Sequence, residues 1–241
     1  MSDFFTMHSG ETAAPVPPGP MLCMATAEMR RIHRVFLWYY SEAPGLARSV
    51  ADGDTARSAF VGNSMATFDK LLHLHHEGED EIMYPRLSER APACALHVAQ
   101  MLAHHREVGR LLADLAPIRD EWAVTADAAL GDDLARRYQH LDEVLQVHLR
   151  REVTEVTPAV DKVLTPDEVQ EMADHSVGGF ETRVVLANLG LVLASNPPEE
   201  QHALLEGLPL MIRLIYRLVG RRLYEKQYST LFPGRPIPAT L

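Results

Sequence analysis

The chain has 241 residues, of which 46 % are hydrophobic and 23 % charged, a composition typical of a globular protein with one sizeable core. Asp and Glu outnumber Lys and Arg by 33 to 23, so the formal net charge is −10. This acidity argues against nucleic acid or an anionic membrane as a partner. No apolar run reaches the roughly 18 residues of a membrane span, and the N-terminus lacks the order of a signal peptide. With two cysteines and no CxxC pair, we expect a cytoplasmic protein without a disulfide framework.

Residues 1–20 are rich in proline and lack a periodic apolar face, so we interpret them as a flexible arm. From Met21 apolar residues recur at spacings of three and four, and Asp54 is a candidate N-cap for the second helix. Pro44–Gly45 is predicted to end or kink the first helix, Ala91–Pro92 to end the second and Pro117 to end the third. The fourth is predicted to begin after Gly131–Asp133. Strand signals are nearly absent. The sequence therefore predicts an all-α fold, with an up-down-up-down four-helix bundle over residues 21–164.

The composition changes after Leu164. The segment Thr165-Pro-Asp-Glu168 is a capping box that opens a fifth helix, and Gly178–Gly179 indicates a break. A basic amphipathic stretch follows from Pro209 to Tyr228. We expect residues 165–241 to form a helical C-terminal extension that packs on the outside of the bundle.

One pattern of polar residues occurs twice in the predicted bundle. The equivalent positions are His33, His75, Glu79 and Pro85 in the first half, and His105, His148, Glu152 and Pro158 in the second. The two histidines of each half are 42 and 43 residues apart, each glutamate follows its histidine by four residues, and each proline follows its glutamate by six. We interpret this as an internal duplication of a helix pair whose polar residues face the core.

These residues form a donor set for metal. Residues four apart share a helix face, so each HxxxE pair can present a nitrogen and an oxygen to one point. Burying four imidazoles and two carboxylates unpaired costs several kcal/mol for each ionised group, and a bound cation removes that cost. Six ligands are too many for one tetrahedral zinc, but they suit two ions bridged by both carboxylates. Imidazole with carboxylate favours iron, and manganese less, with a bridging oxo or hydroxo group. The predicted ligands are His33, His75, Glu79, His105, His148 and Glu152.

A simpler interpretation competes with this one. A lone HxxxE pair is ordinarily solvated, and a lone core histidine is ordinarily hydrogen-bonded, but their repetition in register favours metal. Sequence neighbours of a ligand point about 100° away from it on a helix. We therefore interpret most of the other histidines as surface residues or as residues that contact a ligand without binding metal; they are His73, His76, His97, His104 and His140. The acidic residues Asp80 and Glu81 are interpreted as solvated.

The ordered pattern resembles the hemerythrin-like family, also called HHE cation-binding proteins. The segments HLHHEGEDEIMYPRL and HLRREVTEVTPAV look like the two signature stretches of that family. The resemblance covers about residues 21–164, and the C-terminal region is similar to tails of bacterial, especially actinobacterial, members. It implies a four-helix bundle around a non-heme di-iron centre that meets O2, peroxide or nitric oxide, with the same six ligands. Oxygen-carrying members have a fifth histidine in an HxxxH pair, whereas here Gly109 stands four residues after His105.

Three hypotheses on function stay open. The first is a non-heme di-iron oxidoreductase that consumes O2 or hydrogen peroxide, in catalase-like turnover or in oxidation of a small organic molecule. The second is a protein that binds or senses O2, nitric oxide or iron without turnover. In the third, the protein has a structural metal that only holds the bundle together. The missing fifth histidine leaves open positions at the ions, which favours the first hypothesis and a small molecule as partner.

Overall fold

The computed structural model describes residues 4–240 and divides the chain into two compact units, one ending at Val177 and one beginning at Gly178. The described residues form helices joined by turns and irregular segments, without a strand. The predicted all-α class is therefore confirmed.

Four long helices form the bundle in the first unit. Helices α1 and α2 pack on each other, α2 packs on α4, and α4 and α1 both pack on α5, so the four close a ring. This is the predicted four-helix bundle. The helices of the unit are α1 (Ala25–Arg48), α2 (Thr55–Gly78), α3 (Tyr84–Arg90), α4 (Ala95–Thr125), α5 (Ala128–Arg151), α6 (Thr157–Val163) and α7 (Pro166–Val177).

Capping residues explain where the long helices begin. The side chain of Asp54 accepts a hydrogen bond from the Arg57 amide, which confirms it as the N-cap of α2. Helix α5 was expected after Gly131–Asp133 but begins at Ala128, because Asp127 caps it by accepting from the Leu130 amide. The glycine in that segment serves packing instead, since a Cβ at Gly131 would lie 2.9 Å from Nε1 of Trp122.

Two prolines that were predicted to end or kink helices lie inside them. Pro44 is within α1 and Pro117 is within α4. A proline removes one backbone hydrogen bond and crowds one carbonyl, but tertiary packing can carry a helix past it. The turn after Pro44 has this support, because Leu46 and Ala47 are both buried in the core.

Two π-helical turns, Glu79–Met83 and Glu152–Val156, occur at the same place in the two repeats. In each turn the glutamate carbonyl accepts a hydrogen bond from the amide five residues later, on Tyr84 and on Thr157. Proline follows directly in both repeats. Because proline has no N–H and its ring crowds the carbonyl four residues back, a regular α-turn is disfavoured there. The widened turns therefore coincide with the prolines that repeat in register.

The segment before α1 is extended and held against the bundle. Phe5 and Ala14 are buried, and the amide of Ala14 donates to the carbonyl of Glu155 at 2.8 Å. The guanidinium of Arg150 lies 2.5 Å from a carboxylate oxygen of Glu11. The sequence predicts a flexible arm over residues 1–20 because this segment lacks an apolar period. Single buried side chains, an ion pair and backbone hydrogen bonds nevertheless hold the segment against the bundle. Residues 1–3 lie outside the described residues.

Helix α7 belongs to the first unit and packs on α2. The predicted capping box is confirmed: the Glu168 carboxylate accepts from the Thr165 amide at 2.9 Å, and the Thr165 hydroxyl accepts from the Glu168 amide at 3.4 Å. The same carboxylate accepts two hydrogen bonds from Arg90 at 2.7 Å, which ties α7 to α3. The limit between the two units accordingly lies after Val177, and the limit expected after Leu164 falls within the first unit.

The second unit is a small helical assembly of its own. Its core contains Leu186, Leu193, Leu205 and Tyr216. Its helices are α8 (Thr182–Ala194), α9 (Pro198–Gly207), α10 (Leu210–Ile215) and α11 (Arg221–Leu231), with a π-helical turn at Tyr216–Gly220 between the last two. A Cβ at Gly190 would lie 2.3 Å from Cβ of Tyr224, so glycine permits α8 and α11 to approach closely.

Within residues 4–240, no single helix is long and apolar enough to cross a membrane. Helices α7 and α8 are long and apolar enough only when they are taken together, and a break separates them. This statement rests on length and composition alone.

Candidate metal centre

The bundle brings the six predicted ligands together in its core. All six are buried, with at most 5 % of each residue exposed. Helices α1, α2, α4 and α5 each contribute one histidine, and each glutamate is the first residue of a π-helical turn. The duplicated pattern in the sequence thus corresponds to two halves of one buried site.

One donor set contains His33, His75, Glu79 and Glu152, whose ligand atoms all lie within 4.8 Å of one another. The Nε2 atoms of His33 and His75 face each other at 3.2 Å. An oxygen of Glu152 lies 3.4 Å from Nε2 of His33, and Oε1 of Glu79 lies 3.0 Å from Nε2 of His75. Two nitrogens and two carboxylates therefore converge on one point.

The second donor set contains His76, His105 and His148. The Nε2 atoms of His148 and His76 are 3.2 Å apart, and the rings of His76 and His105 stack with centroids 4.1 Å apart. Glu79 connects the two sets, because its Oε2 lies 3.4 Å from Nε2 of His105 while its Oε1 faces His75. A carboxylate in this position can bridge two ions.

The geometry adds His76 to the candidate donors, although the sequence predicts that it lies outside the donor set. Its side chain is buried and its Nε2 points at His148. The prediction assumed that only one face of α2 is covered. In the structure α2 packs on α1, α4 and α7, and a second buried row contains Gly62, Asp69 and His76 at intervals of seven. That regular spacing is the signal in the sequence that could have indicated His76.

Backbone and side-chain acceptors orient two of the histidines. Nδ1 of His33 donates to the carbonyl of Leu149 at 3.0 Å, and Nδ1 of His105 donates to Oδ1 of Asp80 at 2.6 Å. With the proton on Nδ1, each Nε2 presents its lone pair to the donor set, as in metal-binding histidines. Asp80, interpreted from the sequence as solvated, therefore holds a predicted ligand in place.

Tyr84 contacts the site and was not singled out from the sequence. Its buried hydroxyl donates a short hydrogen bond to Oε1 of Glu152, and its ring centroid lies 5.7 Å from that of His105. The duplication could have indicated it, since Tyr84 and Thr157 hold equivalent positions in the two repeats. The repeats differ here: Thr157 donates to the carbonyl of Val153 and so stays within its own helix.

Burial gives the donor atoms unusual protonation equilibria. Desolvation raises the pKa of Glu79 and of Glu152 to about 8. Desolvation lowers the pKa of four histidines, namely His33, His75, His76 and His148. Burial also acts to lower the pKa of His105, but the hydrogen bond to Asp80 and the charges of Glu79 and Glu152 outweigh it and raise the pKa. A bound cation would coordinate the neutral imidazoles and stabilise the ionised form of both glutamates.

Unpartnered ligand atoms test whether the site fits a metal. Both oxygens of Glu79, Oε2 of Glu152 and Nε2 of His105 are buried without a hydrogen bond. Each such atom ordinarily costs about 1–3 kcal/mol, and native proteins have few of them. Their concentration at one point, with the lone pairs of histidine nitrogens facing them, fits bound cations.

A comparison with protein families agrees with this donor set. The family model of the Hemerythrin HHE cation binding domain matches residues 24–160. The chain belongs to this family. No curated protein and no solved structure matches it significantly. The matched range runs from α1 into α6 and includes both donor sets, so the family and the clusters together indicate a metal-ion site, typically of iron.

The other histidines of the HHE domain lie outside both donor sets in the described part of the chain. His73 and His140 are exposed. His97 pairs with the carbonyl of Thr12 at 2.9 Å, and the ring of His104 meets that of His148 edge-on with centroids 5.5 Å apart. Among the five histidines interpreted as non-ligands, the structure therefore moves only His76 into the site.

Proposed function

We propose that the HHE domain of this chain holds two iron ions, bridged by carboxylate and by an oxo or hydroxo group, and acts as an oxidoreductase on O2 or hydrogen peroxide. The observation that carries the proposal is the position of Glu79, whose two oxygens face histidines of different donor sets. Five imidazoles and two carboxylates exceed the needs of one ion and suit two. Histidine and carboxylate donors favour iron, and manganese less.

The residues around the donor sets support turnover. A pair of iron ions supplies redox chemistry, because two adjacent ions can share the electrons that reduction of O2 or peroxide requires. Such reduction also consumes protons. Tyr84 holds an O–H directly at Glu152, and Asp80 connects buried His105 with the surface, since about a third of its side chain is exposed. Both residues can hold protons next to the ligands.

Burial of the site limits the partner to a small molecule. His33, Glu79 and Glu152 are fully buried, and Phe5 of the extended segment packs beside His33 with ring centroids 6.4 Å apart. O2, hydrogen peroxide and nitric oxide are small enough to reach such a site through fluctuations of the surrounding side chains. We therefore propose a diatomic or similarly small substrate, with no nucleic acid as partner of this site.

His76 favours a second candidate function, reversible binding of O2 or nitric oxide without turnover. The oxidoreductase hypothesis drew support from the missing histidine after His105, where Gly109 stands. If His76 binds metal, the centre has five histidines after all, and fewer positions stay open to exogenous ligands. This candidate requires that bound O2 leaves unchanged.

Metal analysis combined with spectroscopy and turnover separates the candidates. The chain is reconstituted with iron, its metal content is measured, and optical spectra are recorded before and after addition of peroxide or O2. We expect two irons per chain, near-ultraviolet absorption of an oxo-bridged diferric pair, and catalytic loss of peroxide or O2. Stoichiometric, reversible binding without product would instead establish the binding function. One ion per chain after full reconstitution would contradict the two-ion centre.

A further inference from the structure

A row of large apolar side chains is exposed on the second unit. Helix α10, the π-helical turn Tyr216–Gly220 and α11 follow one another without a break. One side of this continuous helix is buried through Tyr216, Gly220, Tyr224 and Tyr228. The other side carries the apolar stripe, which we define as Leu210, Met211, Leu214 and Leu218. Three of these residues are more than 60 % exposed: Leu210 at 63 %, Met211 at 66 % and Leu218 at 69 %.

Basic side chains continue the stripe toward the C-terminus. Arg217, Arg221, Arg222 and Lys226 are exposed, and we call them the basic flank. From residue 208 to residue 240 the sequence contains six basic residues and one acidic residue, Glu225. The chain as a whole has a net charge of −10, so its acidic excess lies entirely outside this segment. The net charge of the whole chain argues against an anionic surface as partner. This segment nevertheless carries a local positive charge.

We propose that the apolar stripe and the basic flank bind the helix in the plane of an anionic phospholipid surface. An interfacial helix places aliphatic side chains among the acyl chains and leaves Arg and Lys at the level of the headgroups. Each basic residue near an anionic leaflet adds to the attraction, and the effect weakens with salt. This arrangement gives the exposed leucines an apolar environment and the basic flank its counter-charges.

The charges favour lipid over a second copy of the chain. Two copies that paired through their apolar stripes would bring two basic flanks into one interface, and each flank offers only Glu225 as compensation. That carboxylate already pairs with Arg221 at 3.0 Å within its own helix. Anionic headgroups, in contrast, neutralise the flank wherever it lies on the surface. The proposal concerns the second unit alone and does not depend on the metal centre.

Vesicle flotation of the iron-loaded full chain tests the proposal. One vesicle preparation contains phosphatidylcholine with about a third phosphatidylglycerol, and the other contains phosphatidylcholine alone. We expect the chain to float with the anionic vesicles, and binding to fall at least about ten-fold with the neutral vesicles or in high salt. Absence of flotation with anionic vesicles would overturn the proposal.

Matched variants assign the binding to this surface. The double variant Leu214→Asp with Leu218→Asp changes exposed residues, so it should keep the helical content and iron content of the wild type and bind anionic vesicles at least about ten-fold more weakly. The control, Leu96→Asp with Val124→Asp, makes the same change at two exposed apolar residues of the bundle (84 % and 72 % exposed) and should bind like wild type. Equal binding by both double variants would overturn the proposal.

A second variant keeps the test valid if the first one misfolds. Arg217→Glu with Arg222→Glu retains the stripe and reverses two charges of the basic flank, and it should also lose about ten-fold or more in binding to anionic vesicles. Light scattering measures whether the apolar stripe instead binds a second copy of the chain. The proposal would be overturned if the wild type did not bind vesicles but formed a dimer that the double variant Leu214→Asp with Leu218→Asp dissociates. The partner of the apolar stripe would then be a second copy of the chain.

Discussion

Nδ1 of His105 donates a 2.6 Å hydrogen bond to Oδ1 of Asp80, a residue that follows Glu79 directly in sequence. Glu79 faces the Nε2 side of the same imidazole at 3.4 Å. Two consecutive residues, at the start of the π-helical turn, thus contact opposite nitrogens of one histidine. The pair fixes both the ring orientation and the tautomer of His105.

The first prediction concerns this contact. Asp80→Asn removes the charge that holds His105, and we expect metal affinity to fall about 10- to 100-fold, as for other residues that orient metal-binding histidines. Glu81→Gln is the matched control, since Glu81 is the exposed acidic neighbour of Asp80. Competition with a metal-sensitive dye measures both affinities. Equal affinities of the two variants would contradict a positioning role for Asp80.

The second prediction distinguishes the histidines. His148→Ala and His76→Ala each remove a nitrogen from the donor set that contains His105, so we expect each variant to bind about one ion fewer per chain. His73→Ala and His140→Ala change exposed residues and should retain the metal content of the wild type. Elemental analysis after reconstitution provides the measurement. Full metal content in His76→Ala would restore the assignment of six ligands without it.

The contrast between His76 and the histidines that recur in register shows how much of the site the sequence could predict. His33, His75, His105 and His148 recur in register on apolar helix faces, and this periodicity is visible without coordinates. The burial of His76 depends on which neighbours cover the other side of α2. There, Gly62 lets α4 approach so closely that a Cβ would lie 2.9 Å from Cβ of Ala123. A packing partner of this kind is set by tertiary structure, which single-sequence periodicity does not contain.

The fold could be predicted more completely than its details. The bundle follows from amphipathic periodicity, and the caps at Asp54 and Thr165 follow from local hydrogen bonding. The continuation of α4 past Pro117 depends on long-range contacts, because buried residues on both sides of it, Leu115 and Trp122, stabilise the helix that proline locally weakens. The predicted packing on the bundle is found for α7 and stays a prediction for α8 to α11.

The third prediction concerns Tyr84. Tyr84→Phe leaves Oε1 of Glu152 without its donor, so we expect a loss of about 1–3 kcal/mol in the free energy of unfolding and a changed optical spectrum of the bound iron. Tyr39→Phe is the control: it removes another buried hydroxyl, which donates to Ser64 at 2.9 Å. It should destabilise the chain without changing the spectrum. Urea unfolding and absorption spectra measure the two effects, and identical spectra for both variants would contradict a contact of Tyr84 with the centre.

The fourth prediction is that metal supplies a substantial part of the stability. The metal-free bundle buries two carboxyl groups with unpartnered oxygens among buried imidazoles, and cations relieve that cost only in the folded state. We expect the melting temperature at pH 7 to fall by several degrees on iron removal and to recover when iron is titrated back. Chelator already saturated with zinc serves as the control for effects of the chelator itself. Identical melting curves of the iron-loaded and metal-free chain would remove the main physical support for the ligand assignment.

The fifth prediction is the pH dependence of the metal-free chain. The pKa of Glu79 and of Glu152 is about 8 in the folded chain, against an ordinary value of 4.5 for glutamate. The folded state therefore keeps two protons that the unfolded state releases. The stability that they contribute is complete below about pH 4.5 and is lost as the pH rises through 8. His105, whose pKa is raised, acts in the same direction.

The other histidines of the site act oppositely, but in a lower pH range. Because the pKa of His33, His75, His76 and His148 is lowered from 6.5, their contribution is complete above that value and is lost only as the pH falls below it. Between pH 6.5 and 8 the carboxyl groups therefore dominate. In this range we expect the free energy of unfolding of the metal-free chain to fall as the pH rises, by at most about 1.4 kcal/mol per pH unit for each carboxyl.

Urea unfolding across this pH range, with and without iron, measures the effect. Bound cations hold both carboxylates ionised, so the iron-loaded chain should show no such decline. Glu79→Gln removes one of the two carboxyl groups and should roughly halve the slope of the metal-free chain. A metal-free stability that stays constant or rises between pH 6.5 and 8 would mean that Glu79 and Glu152 are ionised without metal. Some other group would then have to compensate two buried negative charges, and the unpartnered oxygens of these residues would no longer indicate a cation.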